Sequence, residues 1–303
     1  MDMITGMRTF VATVETGSFT AAADRVGISN KLASKYIAQL EDHLSVRLLH
    51  RTTRTLSLTD AGQRYYPRCA RLLEDFDALE GSVRDDRKAL KGILRLAAPT
   101  TFGELYVQPL VRQFRQQHPD LAIELRLSDR FIDLADEGFD LAIRIGTLED
   151  SGLIARKLAV TELWAVASPD YLAAKTTPET PRHLNDYQCI QDTNLRSGGA
   201  WPFLINGQMQ KIAVNGGYMV NSALAVRDLV VAGEGIGLCP DYVVTQDVAA
   251  GNLERVLADY PSSSLDIHSV YLDARYMPAK VRGFLDFLAA RFKRLTDWQS
   301  LRE

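Results

Sequence analysis

Cysteine is scarce in this chain. The 303 residues hold three, at 69, 189 and 239, an odd number at wide spacings that indicates neither a disulfide framework nor a zinc site. Long apolar runs are missing as well. None approaches the ~18 residues of a membrane span, and the opening MDMITGMRTF has no apolar signal core. A cytoplasmic chain with no membrane partner is therefore expected. The histidines at 43, 50, 118, 183 and 268 show no i, i+4 pairing, which removes the usual helical metal site. Net charge is low, since 35 Lys/Arg against 38 Asp/Glu give −3. What remains is ample for folding. Hydrophobic residues make up 46%, which argues against disorder, and the length suffices for two or three domains with a full-sized core.

The charge is local. Between Arg25 and Leu58 six Lys/Arg face only Glu41 and Asp42, a balance of +4 that leaves −7 for the rest, and no acid lies between Leu44 and Asp60. An acidic body would keep off a polyanion while a basic head meets it. Within that head, Gly17 to Leu44 reads as two short helices joined by a tight turn. Ser18 or Thr20 can cap the first, Gly27 can end it, and Ser29 can cap the second. In the second helix Ala33, Ile37, Leu40 and Leu44 form one apolar stripe, and Ala21, Ala22 and Ala23 allow close approach. The opposite face carries Asn30, Lys31, Ser34 and Lys35. Amide and ammonium groups there suit base-edge acceptors in a major groove, and hydroxyls at the helix start suit phosphate oxygens. The bland alternative is a solvated face on a helical hairpin. Next, Val46 to Leu58 holds Arg47, Arg51 and Arg54 and alternates apolar with polar in its second half, as a basic β-wing would.

These motifs come in a specific order: F-V-A-T-V-E-T-G-S-F-T-A-A-A-D-R-V-G-I-S, then S-K-Y-I-A-Q-L-E, then V-R-L-L-H-R-T-T-R, then L-T-D-A-G. Phe10 to Gly62 thereby resembles the winged helix-turn-helix of LysR-type transcriptional regulators. The resemblance implies groove-reading roles for Asn30, Lys31 and Ser34, phosphate contacts for Ser29 and Lys35, and wing contacts for Arg51 and Arg54. Asn30 stands where glutamine is frequent and Lys31 where a small residue is, which leaves the operator sequence open.

Thr59 and Asp60 open a long helix expected to reach about Leu90, with Pro67 inside it. Tyr65, Cys69, Leu72, Phe76, Leu79 and Val83 alternate spacings of four and three, as in a coiled-coil seam. Such a stripe calls for a partner helix, which in the resembled family is the same helix of a second subunit, giving a dimer or a dimer of dimers. The alternative is a helix lying on its own domain. After Gly92 strands alternate with helices: Ile93 to Ala98, Leu105 to Gln117, Ala122 to Leu127, Phe131 to Glu137 and Leu141 to Ile145. That order predicts a parallel α/β sheet with ligands at the carboxyl ends of its strands. A second lobe is expected to begin near Thr161, with strands at Leu163 to Ala167, near Cys189, near Ile212 and at Ile236 to Cys239, and a helix from Ala223 to Ala232. The chain then returns through Ile267 to Leu272 and a last helix, Ala279 to Leu295.

The expected architecture is α/β, with a winged helix-turn-helix (1–58), a linker helix (59–91) and a two-lobed effector domain (92–303), lobe I being 92–160 and 265–303 and lobe II 161–264. The resemblance likens this last domain to periplasmic solute-binding proteins. The candidate effector-binding residues are Thr100, Thr101, Phe102, Ser128, Arg144 and Gly146 at strand ends, with Asn221 and Ser222 placed across the cleft by the resemblance. Hydroxyls, free helix-start amides and a guanidinium would suit a small carboxylate or similar anion. Caps explain Asn221 and Ser222 equally well, and an ion pair explains Arg144.

An enzyme finds little support. Gly233, Gly235 and Gly237 follow a helix and precede a strand, the reverse of a nucleotide-binding turn, and no Ser/His/Asp set can be claimed from sequence. A transported-solute binder would lack the head. The sequence therefore leads to an effector-responsive regulator of transcription with no cofactor, metal or catalytic residue. Its partners would be an inverted repeat in promoter DNA, a small molecule, a second copy of itself and RNA polymerase. Redox control through Cys239 is the alternative to effector control.

Overall fold

The computed structural model describes residues 2–51, 56–83, 90–130, 132–148, 152–195, 199–272, 277–295 and 297–301. Three helices open the chain: α1 (Met3–Thr16), α2 (Phe19–Val26) and α3 (Asn30–Leu44). Local chemistry sets their ends. Asp2, Ser18 and Ser29 accept hydrogen bonds from first-turn N–H groups, and Gly17, Gly27 and Ser45 close the helices in the left-handed conformation. Ser18 thus holds the cap of α2, while Thr20 accepts instead from Asn30 Nδ2 at 3.2 Å. Ala33, Ile37 and Leu40 are fully buried, the latter two in one cluster with Phe10 of α1. Ala22 and Ala23 are buried in α2, whereas Ala21 is exposed.

The wing is a short hairpin in which β1 (Leu49–Arg51) runs antiparallel to β2 (Leu56–Leu58), with Leu49 opposite Leu58. Arg54 and the side chain of Arg51 lie outside the described residues. Helix α4 (Asp60–Val83) follows, with Pro67 inside it. The side chains of Leu79 and Val83 and residues 84–89 lie outside the described residues, so the expected extension to Leu90 does too.

The first half of the expected seam needs correction. Tyr65 and Cys69 belong to the head's own core, beside Phe10, Ile37 and Leu73, and Cys69 is only 3% exposed. Their stripe lies on α1, with the Phe10 and Tyr65 ring centroids 5.6 Å apart. A helix that starts inside a folded head finds an intramolecular partner first, and spacing cannot tell one apolar partner from another. Leu72 differs: it is 50% exposed. Phe76 is half-buried.

The effector domain begins with β3 (Gly92–Ala98) and a helical stretch starting five residues before the expected Leu105: α5 (Thr100–Phe102), a π-helical turn (Gly103–Val107) and α6 (Gln108–Gln117). β4 (Leu121–Leu127), α7 (Leu134–Glu137) and β5 (Leu141–Ile145) complete the first α/β pattern. β6 (Ile154–Ala167) then runs 14 residues through the boundary between the lobes. Lobe II holds α8 (Pro169–Ala174), a 3-10 turn (Pro181–Asp186), β7 (Cys189–Asp192), the hairpin β8 (Ala200–Ile205) and β9 (Gln208–Ala213), β10 (Tyr218–Val220), α9 (Ala223–Val231), β11 (Ile236–Pro240), α10 (Asp241–Ala250) and β12 (Glu254–Arg255). β13 (Ser264–Tyr271), α11 (Ala279–Lys293) and a final 3-10 turn (Trp298–Leu301) return to lobe I. The strand expected near Ile212 is β9, whereas α8, α10 and β8 have no counterpart in the sequence reading.

Among the described residues one sheet takes the order β10-β7-β11-β6-β13-β5-β3-β4, with β12 also pairing β6. The expected parallel sheet holds only in part. β3, β4 and β5 are parallel, as are β7, β10 and β11, but β13 runs antiparallel to both β5 and β6. The two crossings between lobes are therefore one paired ribbon, β6 going out and β13 coming back, with Thr161 opposite Leu265.

The lobes also share a core. Leu94 and Leu141 of lobe I lie in the same buried cluster as Ile190, Val226 and Val244 of lobe II. Phe102, Tyr106, Tyr242 and Trp298 form an aromatic group across the boundary, with ring centroids 5.2 to 6.1 Å apart. The Tyr106 hydroxyl donates to the Tyr242 carbonyl at 2.8 Å. In lobe I, Lys280 of α11 and Asp140, each 7% exposed, lie 3.4 Å apart, and the Asp140 carboxylate accepts from the Arg95 N–H at 2.9 Å.

Candidate DNA-binding surface and effector cleft

The exposed face of α3 gathers the expected head residues. Ser29, Asn30, Lys31 and Lys35 are exposed and Ser34 is half-buried, while the opposite stripe fixes the helix to α1. Two of these side chains have structural work. The Ser29 hydroxyl accepts from Leu32 N–H at 3.3 Å, and the Asn30 amide ties α3 to Thr20 of α2. Asn30 thus braces the two helices against each other, an arrangement not legible from its position alone. Arg25, by contrast, is paired with Glu15 at 2.5 Å.

A residue missed in the sequence holds the wing. Glu41 lies near the end of α3 and is 2% exposed. Its Oε1 accepts the N–H groups of Leu48 at 2.9 Å and Leu49 at 3.1 Å, and its Oε2 accepts from Arg47 Nη1 at 2.9 Å. A buried carboxylate is tolerable only when it is hydrogen-bonded and paired in this way. It fixes the start of β1 relative to the recognition helix. The Thr59 hydroxyl donates to the Arg47 carbonyl at 2.6 Å and accepts from Gly62 N–H at 3.0 Å. Gly62 sits so close to the strand that a Cβ there would lie 2.1 Å from the Leu48 carbonyl oxygen. That contact explains the glycine of the L-T-D-A-G motif.

The second site is a cleft of about 560 Å³ between the lobes, within the usual range for small molecules. Thr101, Ser128 and Arg144 line it as expected. The other candidates are placed elsewhere. Phe102 is fully buried in the aromatic group. Gly146 serves the ribbon, its N–H donating to the Asp266 carbonyl at 2.8 Å with φ at 97°. Ser222 caps α9 by accepting from Ala225 N–H, and the Asn221 carbonyl accepts from Asn194 Nδ2 at 2.7 Å. Neither is in the cleft lining; Ser222 is a helix cap, and Asn221 contributes its backbone carbonyl to Asn194.

Two of the donors expected for an anion are already engaged. Thr100 N–H, at the start of α5, donates to Asp129 Oδ1 at 3.0 Å. The Arg144 guanidinium donates to the carbonyls of Arg130 at 3.3 Å and Ile132 at 3.0 Å, and burial lowers its pKa. The cleft also holds side chains that the sequence reading passed over: Asp129 from lobe I, and Asp192, Asn194 and Tyr242 from lobe II. Burial, then the N–H bond from Asn194 in the opposite sense, then the Asp129 charge act on Asp192, and the net effect raises its carboxyl pKa. Asp192 and Tyr242 lie at the carboxyl ends of β7 and β11. The strand near Cys189 has no bounds in the sequence, which hides Asp192; Tyr242 follows a strand that the sequence does bound, Ile236 to Cys239, but lies in α10, two residues past the end of β11.

Cys239 is fully buried under this site, and burial pushes its thiol well above the ordinary range. Thiolate character and access are what a redox sensor needs, so the redox alternative loses its basis. Among the described residues no cluster fit for a metal ion is present, and no helix is long and apolar enough to cross a membrane.

A helix-turn-helix with a braced wing, joined to a ligand-sized cleft, defines a regulator that reads DNA and answers to a small molecule. Comparison with known proteins agrees. Residues 4–63 match the bacterial regulatory helix-turn-helix of the lysR family, and residues 87–293 match the LysR substrate binding domain. The chain is 36% identical to the regulator PtxR of Pseudomonas aeruginosa, covering 92% of this chain and 89% of that one, and 34% identical to CrgA of Neisseria meningitidis, covering 92% and 93%. The solved structure of CrgA superposes with a TM-score of 0.63 at 32% identity, over 95% of this chain and 98% of that one. Full-length AphB, a virulence activator of Vibrio cholerae, gives 0.62 at 31%, over 94% and 98%. The chain belongs to the LysR family of transcriptional regulators, and it is not an enzyme. Members bind DNA through the helix-turn-helix, take small-molecule effectors and form oligomers.

Proposed function

We propose that this regulator works in the cytoplasm as a homodimer, or a dimer of dimers, that reads an inverted repeat in promoter DNA. Lys31 and Ser34 contact base edges, Ser29, Lys35, Arg51 and Arg54 contact the backbone, and Asn30 combines groove contact with its brace to Thr20. An effector held in the cleft that Thr101, Ser128 and Arg144 line changes the packing between effector domains and so the spacing of the heads. From a promoter site the assembly can meet RNA polymerase.

The observation that carries this reading is the face of α3. Two exposed lysines stand on a helix whose cap, brace and wing anchor are all satisfied internally, so their charge is left for phosphates and bases. The dimer rests on Leu72 and Phe76, the apolar seam positions left accessible on α4 among the described residues. One head covers a half-site, and half-sites lie about 34 Å apart per helical turn, so two heads need a fixed separation.

The test is Leu72→Asp with Phe76→Asp. The double variant should sediment at a lower mass, lose tight binding to a duplex selected from a random library, and keep weak salt-sensitive binding to arbitrary DNA. Undiminished affinity for the selected duplex after dissociation would overturn the coupling of the heads through α4. A selection that enriches no duplex would overturn the DNA reading itself.

A further inference from the structure

We infer that the effector carries an ammonium group, held between Asp129 and Asp192, on an apolar body. This rests on the reading of the cleft as the effector site and names the class of molecule it takes. The two carboxylates line one cavity from opposite lobes, Asp129 after β4 and Asp192 at the end of β7. Among the described residues the lining holds one cationic side chain, Arg144, which donates to two backbone carbonyls. The helix-start N–H of Thr100, where an anionic effector would dock, is occupied by Asp129 itself.

A second observation comes from Tyr242. It is 8% exposed and lines the cavity. Its ring is fixed by Phe102, Tyr106 and Trp298, yet its hydroxyl has no hydrogen-bond partner among the described residues. Because Tyr242 lines the cavity, its hydroxyl oxygen is placed to accept from an ammonium held there. Ile132, Leu148, Leu153 and Leu195 supply the apolar wall. An ammonium donates three hydrogen bonds and accepts none, which matches two carboxylates and a phenol oxygen. It also removes the like-charge conflict across the cleft, so binding draws the lobes together at this point.

The experiment is calorimetric titration of the full chain with two series of matched probes, 2-phenylethylamine, 2-phenylethanol and 3-phenylpropionate, then hexylamine, hexanol and heptanoate. Within each series the body is conserved and the head is positive, neutral or negative. At least one amine should bind ten times more tightly than its neutral and anionic counterparts. Asp192→Asn and Asp129→Asn should each remove that preference, and the wild-type comparison stands even if one variant fails to fold. Equal binding within both series, tighter binding of the carboxylates, or no binding of either amine at 10 mM would overturn the inference. The same preparation is titrated with the selected duplex. Tight DNA binding with the amines refused defeats only the ligand class, whereas failure to bind any selected duplex defeats the functional reading beneath it.

Discussion

The head and the effector domain are stabilised at different ranges along the chain, and that difference governs what each reveals. In the head the decisive bonds are short in sequence. Ser18 and Ser29 cap within three residues, Asn30 reaches ten residues back to Thr20, and Glu41 reaches seven and eight forward to Leu48 and Leu49. In the effector domain they are long. Tyr106 reaches Tyr242 across 136 residues, and Lys280 reaches Ile93 across 187. A motif can record the first kind because spacing is preserved in the chain. No local pattern records the second.

The comparison can be broken most forcefully at Lys280. Lys280→Ala leaves Asp140 buried without its cation, and breaking such a pair costs about 3 to 5 kcal/mol. Urea unfolding followed in the effector domain should show that loss with the α1–α3 head unaffected. A loss below about 1 kcal/mol would mean that the long-range pair is not what anchors α11.

Glu41→Ala tests the short-range side. Two buried N–H groups lose their acceptor, each worth about 1 to 3 kcal/mol, so the head should unfold earlier in urea. In the folded fraction, sequence preference for the selected duplex should persist, since α3 itself is intact. Its salt dependence should fall, because the wing is no longer held in place. A shift in base preference with an unchanged salt slope would show that Glu41 orients α3 and not the wing.

A smaller effect is expected from Tyr106→Phe. The ring packing survives and one buried hydrogen bond between the lobes disappears, for a loss of about 1 kcal/mol. Hydrogen exchange should rise along α10 while α2 and α3 stay protected. Equal changes in both domains would contradict the separation drawn here.

The smallest effect has a definite sign. The folded state raises the Asp192 pKa, through burial first and the Asp129 charge as a further cause, so it binds that proton more tightly than the unfolded chain does. This contribution to stability is fully present below the ordinary aspartate pKa, about 3.9, and is lost as pH rises through the raised folded value. Asp192→Asn has no such loss. The difference in Tm, variant minus wild type, should therefore climb as pH increases over that window and then level off. A difference that fell with pH would place a stabilising partner on Asp192 instead of a competing carboxylate.

By itself the sequence determined the two helices from Gly17 to Leu44 with Gly27 and Ser29 at their ends, the basic face of α3 and the positions of most lobe I strands. These depend on the identity of residues three to ten apart and on the period of apolar residues. It also placed Thr101, Ser128 and Arg144 at strand ends that do line the cleft. Only the tertiary structure decided the rest, including α1 and the choice of Ser18 over Thr20 as the cap of α2. The α4 stripe has the same spacing whether it meets α1 or another subunit, so burial alone showed that Tyr65 and Cys69 belong to the head and Leu72 does not. Phe102 and Thr101 are adjacent, yet one helical step turns the first into the core and leaves the second on the cleft. Asp129 and Asp192 lie 63 positions apart and share a cavity because β6 and β13 bind the two lobes into one sheet, and the charge of that cavity exists only once both are folded around it.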